Sequence, residues 1–168
     1  CSDSKQMQIT IAEAPEASFM VNSTVCQGNA TSFNNTSSNG SGTPSYSWML
    51  GSTGTSAVKD PSYTFPGAGT FDVWLKVNSG SCSDSVKMAV TVNPNPTASF
   101  TAVQTPLVNQ RQMSFTPSNN TYSTYLWNFG DGNNSNQLAP VYSYLSNGPF
   151  QVTLNVTDAN GCVNTSAP

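Results

Sequence analysis

The stretch "FDVWLKV" at residues 71–77 decides the fold, because its side chains alternate in character along the chain. Its apolar members are Phe71, Val73, Leu75 and Val77. Asp72, Trp74 and Lys76 stand between them. A period of two places successive side chains on opposite faces of a β-strand, so that one face is buried and the other is exposed. The stretch therefore predicts a strand with one face on a hydrophobic core.

The same pattern returns as "FQVTLNV" at residues 150–156, which is 79 residues further on. The similarity extends outward, since "PSYTFPGAGTFDVWLKV" at 61–77 matches "PVYSYLSNGPFQVTLNV" at 140–156. In addition, "CSDSKQMQITIAEAPEASF" at 1–19 recurs as "CSDSVKMAVTVNPNPTASF" at 82–100, at an offset of 81. Self-similarity at one period is the signature of a repeat protein. The chain is thus predicted to be a tandem array with a period near 80 residues.

Each repeat has the signals of an all-β fold. Short alternating segments are separated by turn residues, and no segment has helical periodicity, which favours a two-sheet β-sandwich. The predicted domains are one sandwich over 13–92 and a second over 93–168 with a truncated C-terminal strand, preceded at 1–12 by the closing strand of a preceding repeat. Proline segments at 12–17 and 93–98 predict short, stiff linkers and hence an elongated array.

The composition excludes several classes of function. Charged residues make up 8% of the 168 residues, against roughly 25% in typical soluble domains. The five basic residues are scattered and the net charge is −3, which argues against nucleic-acid binding. No apolar stretch reaches the roughly 18 residues of a membrane span. The chain has no histidine and no C-x-x-C pair, so we expect no metal site, no cofactor and no enzymatic activity.

The segment "WNFGDGNNSNQLAPVYSYLSNGPFQVTLNVTDANGC" at residues 127–162 resembles the polycystic kidney disease (PKD) domain. The residues that match the family's strand-and-turn motif are Trp127, Phe129, Gly130, Asp131 and Gly132. By the internal repeat the resemblance also covers the first unit, which lacks the acidic residue at this turn. It implies two tandem immunoglobulin-like (PKD-type) β-sandwiches.

The resemblance is greatest to repeats of extracellular proteins of Bacteroidota, and it implies a non-catalytic role. The leading hypothesis is a stalk or adhesive segment of a large secreted or cell-surface protein that acts in surface adhesion or gliding motility. The alternative is a spacer or accessory module of a secreted polysaccharide- or protein-degrading enzyme. The expected partners are neighbouring repeats, surface polysaccharide or protein ligands and the secretion machinery.

The resemblance also implies a disulfide. Cys82 and Cys162 precede the last strand of each unit, and Cys1 fits the same position of a preceding unit. The family pattern implies a bridge between Cys26 and Cys82, which would leave Cys1 and Cys162 unpaired or available between repeats. A lipidated Cys1 stays open as an alternative.

Completion of the second unit's last strand by another copy of the chain also stays open. Met7, Ile9 and Ile11 form an alternating segment of the type that such a strand needs. The simpler interpretation, that the ends reflect which part of a longer chain is present, is preferred.

Among the candidate sites, Asp131 and Gly132 are interpreted as a structural hairpin turn rather than a calcium loop, because the pair is absent from the first unit. Trp74 is a candidate contact residue, since it lies opposite the apolar face and its counterpart in the second unit is Thr153. The alternative, which stays open, is that Trp74 packs under a neighbouring loop. Trp48 and Trp127 are interpreted as core. Ser85 is a candidate O-glycosylation site, because "DSV" fits an acceptor pattern described in Bacteroidota.

Overall fold

A computed structural model describes residues 4–9, 11–21, 25–105 and 111–168 of the chain. Within these residues the protein is all-β, without a helical residue, as predicted. The chain divides into unit 1, Cys1–Val92, and unit 2, Asn93–Pro168.

Unit 1 packs a three-stranded sheet on a five-stranded sheet, and all the strand pairs with a defined register are antiparallel. Its described strands are β1 (Phe19–Val21), β2 (Val25–Cys26), β3 (Thr31–Asn35), β4 (Pro44–Leu50), β5 (Gly54–Ser56), β6 (Ser62–Tyr63), β7 (Gly69–Ser79) and β8 (Cys82–Asn93). The strand orders are β1-β3-β6 and β2-β8-β7-β4-β5. The alternating segment is the centre of β7, which pairs with β4 on one side and β8 on the other.

Unit 2 repeats this arrangement with shorter strands. Its described strands are β9 (Phe100–Gln104), β10 (Gln112–Pro117), β11 (Thr124–Asn128), β12 (Asn134–Ser135), β13 (Val141–Ser143), β14 (Thr153–Thr157) and β15 (Val163–Thr165). The orders β13-β10-β9 and β12-β11-β14-β15 correspond to the two sheets of unit 1. Where β7 has 11 residues and β8 has 12, β14 has 5 and β15 has 3.

The two cores are built around equivalent tryptophans, as predicted. Trp48 and Trp127 are buried, and each indole N–H donates to a backbone carbonyl ten residues on, at 3.0 Å to Val58 and 2.9 Å to Gln137. Each indole makes edge-to-face contact with an aromatic ring of the first strand, with centroids 5.1 Å apart in unit 1 and 5.2 Å apart in unit 2. A buried aromatic ring whose polar atom is paired combines large apolar burial with a fixed orientation.

The N-terminal segment differs from its prediction. Residues 4–9 and 11–12 form no strand, and their side chains are exposed. The equivalent β8 is a strand because β7 pairs with it over its whole length, whereas no described strand pairs with the N-terminal segment. An isolated strand leaves its backbone groups without partners from the protein, so the apolar pattern alone does not fix it.

Residues 13–17, predicted as a linker, are bound to unit 1. The Glu13 N–H donates to Ser41 Oγ at 2.7 Å and the Glu16 N–H donates to Ser38 Oγ at 2.9 Å. The Ala17 N–H donates to the Asp84 carboxylate at 2.8 Å, and this bond holds the pKa of Asp84 below its usual value.

The predicted Cys26–Cys82 bridge is wrong. Cys82 is a free thiol, whereas Cys26 is disulfide-bonded. Cys26 ends β2, which is the neighbour of β8 in the five-stranded sheet, and Cys82 begins β8. Neighbouring strands do not by themselves bring two cysteines together, because a disulfide also requires a register that places their Cα atoms within about 7 Å.

Cys162, which the resemblance leaves unpaired or available between repeats, is also disulfide-bonded. It is fully buried, whereas Cys82 is partly exposed. The difference in burial follows from the lengths of the two turns. Cys82 lies directly opposite Ser79 across a two-residue turn. In unit 2 the Asp158 N–H donates to the Cys162 carbonyl across a turn that is one residue longer. Cys1 lies outside the described residues.

Candidate binding face

The five-stranded sheet of unit 1 turns one surface to solvent, which we call the outer face. Because side chains alternate along β7, those of Val73 and Leu75 lie in the core and that of Trp74 lies on the outer face. The pairing registers place Met49 of β4 and Lys87 of β8 on either side of Trp74. Because directly paired residues share a face, the three side chains form one row across the sheet.

Trp74 is 41% exposed, although it is a large aromatic residue. The Lys87 Nζ lies 5.5 Å from the ring centroid, a cation–π geometry. The same Nζ is 2.7 Å from Asp72 Oδ2, so the ammonium joins the ring to a carboxylate on the same strand. These contacts hold the indole on the sheet and leave part of it open to solvent.

Shallow hollows lie on both sides of the Trp74 ring. One, of about 320 Å³, is bordered by hydroxyls of Ser47, Thr55 and Ser85. The other, of about 480 Å³, is bordered by Ser52, Thr70 and Asp72. The outer face therefore presents an aromatic ring flanked by hydrogen-bonding groups, which is the arrangement of a site that stacks on a ligand and fixes its orientation.

Ser85 is exposed on this face and pairs with Lys76 across the β7–β8 ladder. Its hydroxyl is accessible, and it borders the same hollow as Trp74. O-glycosylation of Ser85 stays a prediction.

The equivalent surface of unit 2 has no such platform. Thr153 stands where unit 1 has Trp74, and it pairs with Asn128 where unit 1 has Met49. Further along the sheet, the exposed Leu126 pairs with Asn155. The two units thus share their inward-facing residues and differ in their outward-facing ones.

Asp131 and Gly132 lie in the tight connection between β11 and β12. Asp131 Oδ1 accepts from the Asn133 N–H at 3.1 Å, and Oδ2 accepts from the Tyr142 hydroxyl at 2.6 Å. The Tyr142 bond is the main cause that holds the pKa of Asp131 below its usual value, and it raises the pKa of Tyr142. Gly130 and Gly132 have φ values of 81° and 93°, which favour glycine. Both carboxylate oxygens therefore have partners within the protein, one in the turn and one on β13.

The part of the chain that the structure describes holds no group of three or more His, Cys, Asp or Glu side chains that could bind a metal ion. No helix in this part is long and apolar enough to cross a lipid bilayer.

Alternation predicted that Trp74 faces outward, but it did not predict that Met49, Lys87 and Asp72 lie beside it. Their positions depend on the register between strands, which alternation does not supply. The register of β8 could have been predicted from the sequence, because Gly80 and Ser81 form a two-residue turn between β7 and β8, with Gly80 at φ 60°. Counting outward from that turn places Lys87 opposite Trp74.

Comparison with known families assigns both units to one class. The sequence profile described as "PKD domain" matches residues 12–92 and 93–168. A solved structure of the PKD1 domain from the Vibrio cholerae metalloprotease PrtV is similar, with 30% identity, 48% of this chain and 98% of that chain covered, and a TM-score of 0.42.

The similar curated proteins are large proteases. The pre-pro-metalloprotease PrtV of Vibrio cholerae is 38% identical over 71 residues, which are 42% of this chain and 8% of that protein. Collagenase ColA of Clostridium perfringens is 44% identical over 43 residues, and a microbial collagenase of Vibrio alginolyticus is 46% identical over 41 residues. These matches cover 26% and 24% of this chain, and 4% and 5% of those two proteins.

Proposed function

Because the chain belongs to the PKD domain family, we propose that it is a non-catalytic accessory segment of a secreted hydrolase. In this proposal the outer face of unit 1 contacts the macromolecular substrate and keeps an associated catalytic domain close to it. The substrate is a protein or polysaccharide polymer outside the cell.

The similar proteins support this role. They are a metalloprotease and two collagenases, and the matched part is less than a tenth of each one. This favours the accessory-module hypothesis over adhesion or gliding motility, for which the relatives offer no support. The disulfide-bonded Cys26 and Cys162 favour an oxidising, extracellular compartment.

The observation that carries the proposal is Trp74 on the outer face. An aromatic ring buries about 150–250 Å² when it is fully covered, and partly exposed tryptophans are frequent hot spots of binding. The ring can stack on a flat apolar surface of a polymer, such as a sugar ring or a proline. The bordering hydroxyls and the Asp72–Lys87 pair can then hydrogen-bond to its polar groups.

Co-sedimentation with insoluble polymers tests the proposal. The full chain is mixed with fibrillar collagen, chitin or cellulose, and the bound fraction is measured after centrifugation. We expect binding to at least one polymer, weakened about tenfold or more by Trp74→Ala because the central stacking surface is removed.

Thr153→Ala is the matched control, since it changes the equivalent outward position of unit 2. It is expected to leave binding unchanged, and circular dichroism checks that both variants are folded. Equal binding by wild type and Trp74→Ala, or no binding to any of the three polymers, would rule out this use of the outer face.

A further inference from the structure

The outer face of unit 1 has a second row of side chains beside the row of Trp74. Lys76 follows Trp74 on the same side of β7, and the pairing registers place Ser47 of β4 and Ser85 of β8 on either side of it. Residues two apart along a strand lie about 7 Å apart on one face. The hollow of about 320 Å³ is bordered by both Trp74 and Lys76, so the aromatic residue and the lysine share one space.

Lys76 differs from the other lysine of the outer face in its charge balance. The Lys87 ammonium is 2.7 Å from Asp72 Oδ2, whereas none of the described carboxylates forms an ion pair with Lys76. Asp84 lies on the opposite side of β8, where it accepts from the Ala17 N–H at 2.8 Å. The described strands of this sheet therefore give the outer face two ammonium groups and one carboxylate, in a chain whose net charge is −3.

Unit 2 has neither the ring nor the cation at the equivalent positions. Thr153 stands where unit 1 has Trp74, and Asn155 stands where unit 1 has Lys76. The Asn155 amide donates to the Thr165 hydroxyl at 2.8 Å, so the position is filled by a neutral pair. The fold therefore requires neither residue at its position, and both are available for a contact with a ligand.

We propose that the outer face binds a polysaccharide whose sugar rings carry carboxylates, with one ring stacked on Trp74 and a carboxylate held by the Lys76 ammonium. This rests on the proposed function and narrows its substrate to acidic polysaccharides. A hydrogen bond between two charged groups is stronger than one between neutral groups, so the lysine favours an acidic sugar over a neutral one. The hydroxyls of Ser47, Thr55 and Ser85 suit the several hydroxyls that each sugar ring presents and that an acidic peptide lacks.

Two matched oligosaccharides test this proposal. One is a cello-oligosaccharide, and the other is the same oligosaccharide with its primary hydroxyls oxidised to carboxylates, so that the backbone is unchanged. Isothermal titration calorimetry with the full chain should give a Kd at least about fivefold lower for the oxidised form. The preference should decrease as salt is added, because screening weakens the attraction between exposed charges.

Three variants separate the contributions of the ring and the cation. Lys76→Gln should weaken binding of the oxidised oligosaccharide and leave that of the neutral one unchanged, whereas Trp74→Ala should weaken both. Lys59→Gln is the matched control, because Lys59 is exposed, borders neither hollow and loses the same charge. It is expected to bind both oligosaccharides as the wild type does, and circular dichroism checks that all three variants are folded.

The possible failures of this proposal and of the proposed function are distinguishable. Equal Kd values for the two oligosaccharides, both raised by Trp74→Ala, would overturn the acidic preference and leave the proposed function standing. A preference that Lys76→Gln does not reduce, or no binding of the oxidised form, would also overturn it. Tighter binding of poly-glutamate would make the partner an acidic protein instead. Binding that Trp74→Ala does not change would overturn both proposals.

Discussion

Unit 1 and unit 2 have the same interior and different exteriors. In both, one tryptophan is buried, its indole N–H donates to a carbonyl ten residues on, and an aromatic ring of the first strand lies against it at nearly the same distance. On the outer surface of the larger sheet, unit 1 has Trp74 and unit 2 has Thr153. Packing constrains alternate residues of a strand and leaves the others free to vary. A repeat can therefore keep its fold while only one of its copies carries an exposed tryptophan on this surface.

The units also differ along the β7–β8 ladder. In unit 1 the two strands pair from Gly69 with Val92 to Ser79 with Cys82. In unit 2 the equivalent pair, β14 and β15, is joined only from Asn155 with Thr165 to Thr157 with Val163. The shared interior is therefore bordered by a longer strand ladder in the described part of unit 1 than in that of unit 2.

The largest expected effect tests the common interior. Trp48→Ala and Trp127→Ala are each expected to lower the free energy of unfolding of their own unit by about 3–5 kcal/mol, because each leaves a large cavity and an unpaired carbonyl. Calorimetry that resolves the transitions of the two units measures this. Leu126→Ala, at an exposed position, is the control and should change stability by less than about 0.5 kcal/mol. A cost in one unit and none in the other would show that the interiors are not equivalent.

The second-largest expected effect is a difference in stability between variants of the disulfide-bonded Cys26 and of the free Cys82. Cys26→Ser should lower the free energy of unfolding by about 2–4 kcal/mol, because Cys26 is disulfide-bonded. Cys82→Ser should change it by less than about 0.5 kcal/mol, because Cys82 is a free, partly exposed thiol. Urea unfolding measures both, and alkylation followed by mass spectrometry should label Cys82 in the folded chain. A destabilised Cys82→Ser variant and an unlabelled Cys82 would contradict this and support a Cys26–Cys82 bridge.

A smaller expected effect is that the turn of unit 2, unlike that of unit 1, contributes a stability that depends on pH. Tyr142 holds the pKa of Asp131 below its usual 3.8, so the carboxylate stabilises the fold above that value and ceases to do so as the pH falls through its lower folded pKa. Tyr142→Phe should therefore destabilise unit 2 at pH 7 and have less effect at a pH well below 3.8.

Tyr63→Phe is the control for this pH effect, because the Tyr63 hydroxyl lies 3.3 Å from the Thr53 hydroxyl instead of a carboxylate. Its effect on the free energy of unfolding should be the same at both pH values. Urea unfolding at the two pH values measures the comparison, and an effect of Tyr142→Phe that does not change with pH would contradict it.

The smallest effect concerns the outer face itself. Lys87→Gln should change the free energy of unfolding by less than about 1 kcal/mol, because an exposed ion pair contributes little. It should still weaken polymer binding, since it releases the Trp74 ring from its cation–π contact. Co-sedimentation and urea unfolding on the same variant separate the two effects. A large loss of stability with unchanged binding would make Lys87 a structural residue.

Alternation along the strands was sufficient to predict the all-β class and the buried tryptophans, because burial follows directly from a period of two, and self-similarity at an offset near 80 residues predicted the two repeats. It also separated Trp74 from the core, since that residue falls between Val73 and Leu75. The same reasoning predicted a strand around Ile9, where the structure has none. A strand needs a neighbour for its backbone, and the sequence of one segment does not say whether a neighbour is present.

The cysteine prediction was wrong for a related reason. The Cys26–Cys82 bridge was implied by the family pattern, which does not report turn lengths. The turn before Cys162 has one more residue than the turn before Cys82, and this changes the backbone pairing around the cysteine. The neighbours of Trp74 on the outer face likewise depend on registers between strands that are distant in sequence. Such registers depend on turn lengths and on long-range packing, which no local pattern reports.

The most direct test of the binding face uses the three tryptophans as probes. Trp48 and Trp127 are buried, so iodide should quench the fluorescence of the free chain through Trp74, the 41% exposed one. When the chain is bound to the polymer identified by co-sedimentation, we expect this quenchable fraction to be lost, because the ring is covered by substrate. A bound chain whose Trp74 is quenched as readily as in the free chain would contradict it.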